Sequence, residues 1–441
     1  MKRNNAANYL LMLLTAAAAI ILYPTLATVG LTSDEELIRE VSRQFASTGI
    51  SQVFEFGEYD LPTNLYAYLA AVCNTLIPSG DIFSLRLPSA TFILLLTLGV
   101  FYFRSDERLS NTFLASLLFI SSYLVSSLAY RATPVSLMAL FFIFALAALY
   151  RWIKYPSSKN TYLLLAASVG ATTIIGFIAP IALSLLGILF TVFRGEAGMK
   201  TWLKLLSITG ISVVLTYIGV VFLTNNSAIA QEVLSSDRVF MPLVQYSSIE
   251  NFARQVFFSI FPWSIPIAIS LFWMACNPSW VRNRYLSLSM YKQFGIALFL
   301  ITIPALFAFN GLSLLLLLSA IFFNMPIISS FLLSQFHNHS VTWRITGGIF
   351  AGIISLVAIL FIAAQCGLKI RLSNYSYTAP GEWSVWSILL LLSIAASVYS
   401  LSRQQRTIQH NNRYIYNIVI LYILAQLLYK ANINPYLTTT L

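Results

Sequence analysis

The sequence predicts an all-α polytopic membrane protein, on three observations. Of its 441 residues, 58% are apolar and only 9% charged, whereas a soluble domain carries about a quarter charged residues. Mean hydropathy is +0.78, and the apolar residues gather in runs able to cross about 30 Å of hydrocarbon at about 1.5 Å per helical residue. The basic residues form short clusters between these runs: Lys2/Arg3, Arg151/Lys154/Lys159, Arg194/Lys200/Lys204, Arg282/Arg284/Lys292 and Arg403/Arg406/Arg413. Starting with Lys2 inside, alternation of the runs puts all of these clusters on the cytoplasmic side, the positive-inside distribution. The net charge of +11 therefore reports topology, and a nucleic-acid partner is excluded.

Alternating the apolar runs gives about thirteen spans, near 9–30, 87–103, 110–129, 133–150, 161–176, 178–193, 203–223, 257–275, 294–309, 311–335, 345–365, 384–401 and 413–430. The first run is too long for the apolar core of a signal peptide and reads as a retained span. Residues 1–441 are expected to form one transmembrane domain, without a soluble domain at either end and without an internal repeat. The predicted setting is a bacterial inner membrane, with the N-terminus cytoplasmic and the C-terminus periplasmic. Prolines 180, 262, 266, 304 and 326 fall where spans kink or end, which bilayer proteins tolerate.

The first outside loop, residues 32–86, is the polar exception. Ser33 with Glu36 three residues later reads as a capping box, and Gly49 as a helix stop. This helix would carry Leu37, Ile38, Val41 and Phe45 on one face and Arg39, Glu40, Arg43 and Gln44 on the other, the pattern of a helix lying along the membrane surface. A second stretch, 65–77, is too short to span and reads as a surface or re-entrant helix. Two later outside segments, 224–256 and 366–383, carry further charges, with Trp383 and Trp386 at an interface.

Chemistry concentrates in the same loop. Asp34, at the first helical position on the Ser33 cap, is stabilised there by the helix dipole alone. An ionised carboxylate at the water–lipid boundary can also take a proton from an acceptor hydroxyl or amine, or hold a divalent metal. The three cysteines Cys73, Cys276 and Cys366 have no metal spacing, and His337 with His339 makes a poor metal pair. Gly348 and Gly352 have the spacing of a close helix-packing pair, a weak signal on its own.

Three runs carry a family resemblance. Asp34-Glu35-x-x-Ile38 leads to Arg43 and Gly49; Tyr59-Asp60-Leu61-Pro62 precedes Tyr66 and Tyr68; and Ser84-Leu85-Arg86-Leu87-Pro88-Ser89-Ala90 opens the second span. With Phe261-Pro262-Trp263-Ser264 later on, these resemble the class C membrane glycosyltransferases, nearest to the aminoarabinose transferases and the protein O-mannosyltransferase group. The resemblance covers residues 30–150 well and the rest thinly.

It implies a polyprenyl-phosphate-linked sugar donor, an acceptor on the outer face, Asp34 orienting or deprotonating that acceptor, and Glu35 supporting it. The chain departs from the family at three places. Asp60-Leu61-Pro62 stands where a glutamate-lysine-proline is usual, so the lysine that meets the lipid phosphate is missing. Thr133-Pro134-Val135-Ser136 lacks the second carboxylate, and Asn310-Gly311-Leu312-Ser313 stands for a lysine-bearing motif. Arg86, Arg131, Lys369 and Arg371 are the candidate replacement cations, since arginine can grip a phosphate with two hydrogen bonds. Glu58 and Asp60 are the candidates for the missing carboxylate. The expectation that follows is a glycosyltransferase; the alternative is a non-catalytic relative acting as scaffold or subunit with membrane-protein partners. A transporter would call for repeat symmetry or charges deep in the spans, and neither is found in the sequence.

Overall fold

The computed structural model describes residues 2–24, 26–28, 30–45, 61–77, 81–102, 109–194, 198–224, 231, 233–234, 263–264, 290–308, 312–338, 340–366, 370–372, 375–377, 385–404, 413–429 and 437–439. The described helices are α1 (Lys2–Leu22), α2 (Ser33–Phe45), α3 (Leu61–Leu76), α4 (Asp81–Tyr102), α5 (Leu109–Ser121), α6 (Tyr123–Ala129), α7 (Pro134–Lys154), α8 (Ser158–Ile175), α9 (Ile178–Phe193), α10 (Met199–Thr224), α11 (Met290–Ala308), α12 (Leu312–Asn338), α13 (Ser340–Gln365), α14 (Val385–Gln404) and α15 (Arg413–Leu428). Each expected span has a helix except 257–275, of which only Trp263 and Ser264 are described.

Among the described residues, Ile82–Tyr102, Pro134–Lys154, Met199–Thr224 and Gly347–Gln365 are each long and apolar enough to cross a bilayer, and the bent pair α5/α6 is apolar enough to be a broken span or a re-entrant loop. The outward sides of α10 and α13 are apolar: Leu206, Val214, Ile218 and Phe222, and Ile349, Ile353, Leu356 and Ile359, are all exposed. Apolar residues facing outward on such helices suit hydrocarbon rather than water. The chain is a multi-pass membrane protein.

Inside, the bundle is held by aromatic packing. Ring centroids run Phe190–Phe294 at 5.0 Å, Phe294–Phe323 at 5.2 Å, Phe323–Phe322 at 5.2 Å and Phe322–Phe119 at 5.8 Å, joining α9, α11, α12 and α5. Their edge-to-face geometry adds about 0.5–1.5 kcal/mol per pair beyond burial. At the α11–α12 crossing a Cβ on Gly295 would lie 3.0 Å from the backbone oxygen of Phe323, so the helices approach closely only because that residue is glycine. The turn between α8 and α9 rests on Gly176, whose φ of 88° lies where side-chain-bearing residues are strained.

The span expected at 110–129 is not one continuous helix but two, the geometry of a broken span or a re-entrant loop. α5 and α6 are bent by 64° at Ser122, which is extended at φ −68°, ψ 141°. A break inside hydrocarbon leaves backbone carbonyls without partners, and neighbouring side chains must supply them. Gln426 of α15 donates to the Ser121 carbonyl at 3.1 Å, and the Trp263 indole donates to Ser121 Oγ at 3.0 Å. Replacing Gln426 with leucine is expected to lower stability by about 1–2 kcal/mol, read as thermal stability in detergent. An unchanged midpoint would mean that Ser121 has another partner.

The all-α bundle carries one small addition. Three short strands, β1 (Ile370–Leu372), β2 (Tyr375–Tyr377) and β3 (Leu437–Thr439), form an antiparallel sheet in the order β1-β2-β3. Three-residue strands are too short for alternation to show in a sequence. Pairing β3 with β2 puts the C-terminal segment on the same side of the bilayer as the expected 366–383 loop.

Helix α2 also departs from expectation. Its apolar face does not lie on lipid: Ile38, Val41 and Phe45 pack with Tyr66, Ala67, Ala70, Ala71, Leu85 and Ala132 in a second small core. Phe45 meets Tyr68 edge-on at 6.3 Å. Burying each large apolar side chain is worth about 1.5–3 kcal/mol, enough to seat α2 on α3 and on the start of α4. Leu37, expected on that face, is 42% exposed.

Candidate active site

The site begins with the cap of α2, which is offset by one residue from the expected box. Thr32, not Ser33, precedes the helix: its carbonyl accepts from Glu36 N at 2.9 Å. Glu35 then occupies the third helical position and accepts from Thr32 N at 3.0 Å and Thr32 Oγ1 at 3.2 Å, the reciprocal contact of a capping box. Thr32-x-x-Glu35 and Ser33-x-x-Glu36 fit that pattern equally well in sequence. With Thr32 as the cap, Asp34 is at the second helical position rather than the first. Glu35 lies three residues before Ile38 and shares its face, so packing of Ile38, Val41 and Phe45 carries Glu35 inward.

That packing separates the adjacent acids. Glu35 is 1% exposed, while Asp34 is exposed. Glu35 is held by Arg86 through two parallel bonds, Nε to Oε1 at 2.7 Å and Nη2 to Oε2 at 2.8 Å, the geometry that arginine and carboxylate match best. Oε1 also accepts from the backbone N–H of Ala132 at 2.8 Å. Arg86, 2% exposed, donates further to the carbonyls of Leu26 at 2.8 Å and Gly30 at 2.9 Å. One ion pair thus ties together the turn after α1, the start of α2, the first turns of α4 and the entry to α7. Arg86, expected as a phosphate ligand, is instead committed to this internal lock, because Glu35 and two carbonyls take its donors.

A hydroxyl chain stands beside the lock. The fully buried Tyr66 of α3 donates to the Leu85 carbonyl at 2.9 Å and lies 2.8 Å from Ser89 Oγ. Ser89 lies 3.0 Å from Ser136 Oγ, which donates to the Thr133 carbonyl at 3.0 Å. Arg86 and Ser89 are three apart on α4 and so share a face. That spacing explains the Arg-Leu-Pro-Ser motif: its first residue joins α4 to α2, its fourth joins α4 to α3 and α7. Burial pushes the Tyr66 phenol upward, so it serves as a neutral donor.

Burial pulls the Glu35 carboxyl upward too, but hydrogen bonds from Arg86, Ala132 N and Thr32 N, with the Arg86 charge, hold it below the ordinary value. A lowered folded-state value contributes stability that is present above the ordinary glutamate pKa and is lost as pH falls through the folded one. Docking of α2 should therefore be constant from about pH 8 to about pH 5 and weaken only in more acidic solution. Protease protection of residues 33–45 against pH checks this, and protection lost near neutrality would be the contrary result.

Arg131, in the turn before α7, is exposed one residue before Ala132. The Glu35–Ala132 bond brings the backbone carrying Asp34 beside the backbone carrying Arg131. Glu58, Asp60 and Lys369 lie outside the described residues; of Arg371 the structure describes its backbone place in β1. Among the described residues no group of three His, Cys, Asp or Glu converges to hold a metal ion, so Asp34 has no described ligand set around it. Sequence reasoning missed Thr32, the Ala132 N–H, the carbonyls of Leu26 and Gly30, and the Tyr66–Ser89–Ser136 chain. The Thr32-x-x-Glu35 spacing was the one legible signal among them.

A helix pair seated on a multi-pass helical bundle gives this chain a fold similar to that of solved structures of ArnT. The solved structures it superposes on are ArnT from Cupriavidus metallidurans bound to undecaprenyl phosphate, at TM-score 0.58 and 16% identity over 95% of this chain and 77% of that one, and the apo form of the same protein, at TM-score 0.52 and 16% identity over 97% and 78%. The oligosaccharyltransferase AglB from Archaeoglobus fulgidus aligns at TM-score 0.44 and 11% identity, over 97% of this chain and 56% of that one, too distant to bear on the fold. No family model and no curated protein sequence matches the chain.

Proposed function

We propose that this protein is a membrane glycosyltransferase that moves a sugar from a polyprenyl-phosphate-linked donor to an acceptor on the outer face of a bacterial inner membrane. In this reading the N-terminus is cytoplasmic, the C-terminus periplasmic, and residues 32–86 form the outer loop of a single transmembrane domain. The observation that carries it is the exposed Asp34, held in place by the buried Glu35–Arg86 lock beside the exposed Arg131. The fold likeness to ArnT, solved with undecaprenyl phosphate, supports it.

In the proposed step an acceptor hydroxyl or amine gives its proton to the Asp34 carboxylate as its oxygen or nitrogen bonds the anomeric carbon. The bond from that carbon to the donor phosphate breaks, and the phosphate leaves on the lipid carrying the electron pair. Arg131, with Lys369 and Arg371 from the late outer loop, is the proposed cation set for that developing charge. Glu35 is a positioning residue, since both of its oxygens are taken up inside the fold.

A second reading, a non-catalytic subunit with the same fold, is favoured by one observation. Where the family carries its second carboxylate, Thr133 and Ser136 are drawn into the hydroxyl chain with Ser89. Assaying sugar release from polyprenyl-phosphate donors by wild type and Asp34→Asn separates the two readings. Activity lost in the variant supports catalysis. A wild type that binds no donor and co-purifies with fixed membrane partners supports the subunit.

A further inference from the structure

We propose that Gln426 and Trp263 are positioning residues for sugar transfer: they set the bend at Ser122, and through α6 that bend sets the place of Arg131. The inference deepens the transferase reading above and rests on it for the role of Arg131.

The chain from Ser121 to Ala132 is short and held at both ends. At its start, Gln426 Nε2 donates to the Ser121 carbonyl at 3.1 Å and to the Tyr422 hydroxyl at 2.7 Å. The Trp263 indole holds Ser121 Oγ at 3.0 Å, and its ring lies 6.1 Å from that of Tyr422, so both donors belong to one packed cluster. At its end, the Tyr130 hydroxyl donates to the Ile21 carbonyl, and Ala132 N donates to Glu35 Oε1 at 2.8 Å. Arg131 stands between these last two anchors and is the exposed residue of the three.

Between the anchors α6 is a short rod. The Ser126 and Ser127 hydroxyls bond back to the carbonyls of Tyr123 and Leu124 at 3.1 and 2.8 Å, and Val125, Ser126, Leu128 and Ala129 are buried. A helix this short is not stable alone, so α6 takes its direction from what holds it. The far anchors act on Tyr130 and Ala132, beyond the end of the helix. A rod needs a second fixed point, and Ser121 is that point.

The lever is long enough to matter. The 7 residues of α6 make about 10 Å of helix, so a change of about 10° in the bend carries the far end about 2 Å. A misplacement of about 1 Å can cost about a hundredfold in rate. Gln426 and Trp263 come from elements far along the chain, and neither bonds any residue of the site directly among the described contacts. Their effect on transfer therefore runs through Ser121 and α6.

A double-mutant cycle tests that route. Wild type, Gln426→Met, Trp263→Phe, Tyr422→Phe and Arg131→Ala are compared for transfer from undecaprenyl-phosphate-linked mannose, glucose and aminoarabinose, with the donor that wild type uses best kept throughout. Methionine keeps the length of glutamine and removes its donors. Tyr422→Phe removes the other bond of the same amide and leaves Ser121 bonded. Q426M should lower kcat about 10–100-fold, with the donor KM within about twofold, because Arg131 acts on charge that develops in the transition state. W263F should fall in the same direction, and Y422F should stay within about twofold of wild type. In the R131A background Q426M should cost no more than about twofold, since its target is gone. Equal losses for Q426M and Y422F, or full additivity of Q426M with R131A, would overturn the inference.

Hydrogen exchange of residues 122–132 reads the bend without any activity. Q426M should exchange faster than wild type there, and Y422F should not. Unchanged exchange in Q426M overturns the inference even in a protein that transfers sugar. A wild type without transfer whose exchange still follows Gln426 removes the transferase reading and supports the link from the break to Arg131.

Discussion

Replacing Glu35 with alanine is expected to destabilise the outer helix pair by about 3–5 kcal/mol, because it strands the buried Arg86 guanidinium without its counter-charge. The ion pair is 2% exposed on both sides, so water cannot take over the role of the lost carboxylate. Thr32 N and Ala132 N lose their acceptor in the same step. Protease accessibility of α2 and thermal stability in detergent measure the effect. The double change Glu35→Leu with Arg86→Met should recover most of the loss, since removing both charges from a buried pair is often close to neutral. Recovery should be incomplete, because two backbone N–H groups remain without their acceptor. A single variant as stable as wild type would show that the lock does not seat α2. The lock matters to function through geometry, as it fixes the register that turns Asp34 outward.

Changing Asp34 to asparagine is expected to lower sugar transfer by about 10²–10⁴-fold, the usual weight of a positioned general base. Stability should stay within about 0.5 kcal/mol of wild type, as befits an exposed residue outside the packed core. Asparagine keeps the size and much of the polarity of the side chain, so a loss of activity at constant stability isolates the proton-accepting role. Unchanged transfer would remove Asp34 from the proposed step and leave the subunit reading in place. The two variants should therefore differ in kind, since Glu35→Ala loses the scaffold first whereas Asp34→Asn leaves the scaffold whole.

Much of this molecule was legible before any coordinates. The long apolar runs and the one-sided basic clusters settle a multi-pass helical membrane protein, because hydrocarbon admits backbone only as internally bonded structure. The turn at Gly176 and the starts of α7 and α14 lie close to where their runs placed them, whereas α4 begins at Asp81, ahead of the expected 87. The Asp34-Glu35 pair and the Arg86–Ala90 run also marked out the region where the site is built.

The roles within that region were a tertiary matter. Two capping boxes one residue apart are equally good locally; separately, burial of Ile38, Val41 and Phe45 against α3 takes Glu35, on the same face, inward and leaves Asp34 outward. Arg86 looked like a phosphate ligand for as long as its partner across the fold was unknown; the bonds to Glu35, Leu26 and Gly30 span more than fifty residues of chain. The break at Ser122 shows in sequence only as a serine pair, and the Gln426 and Trp263 bonds that stitch it come from far along the chain. The strands β1, β2 and β3 are three residues each, below the length at which a pattern repeats. Sequence by itself determined the solvent of this protein and the place of its candidate site, because hydropathy and local motifs are short-range properties. Only the tertiary structure decided which charge is buried and which is exposed, because that depends on partners brought together by folding.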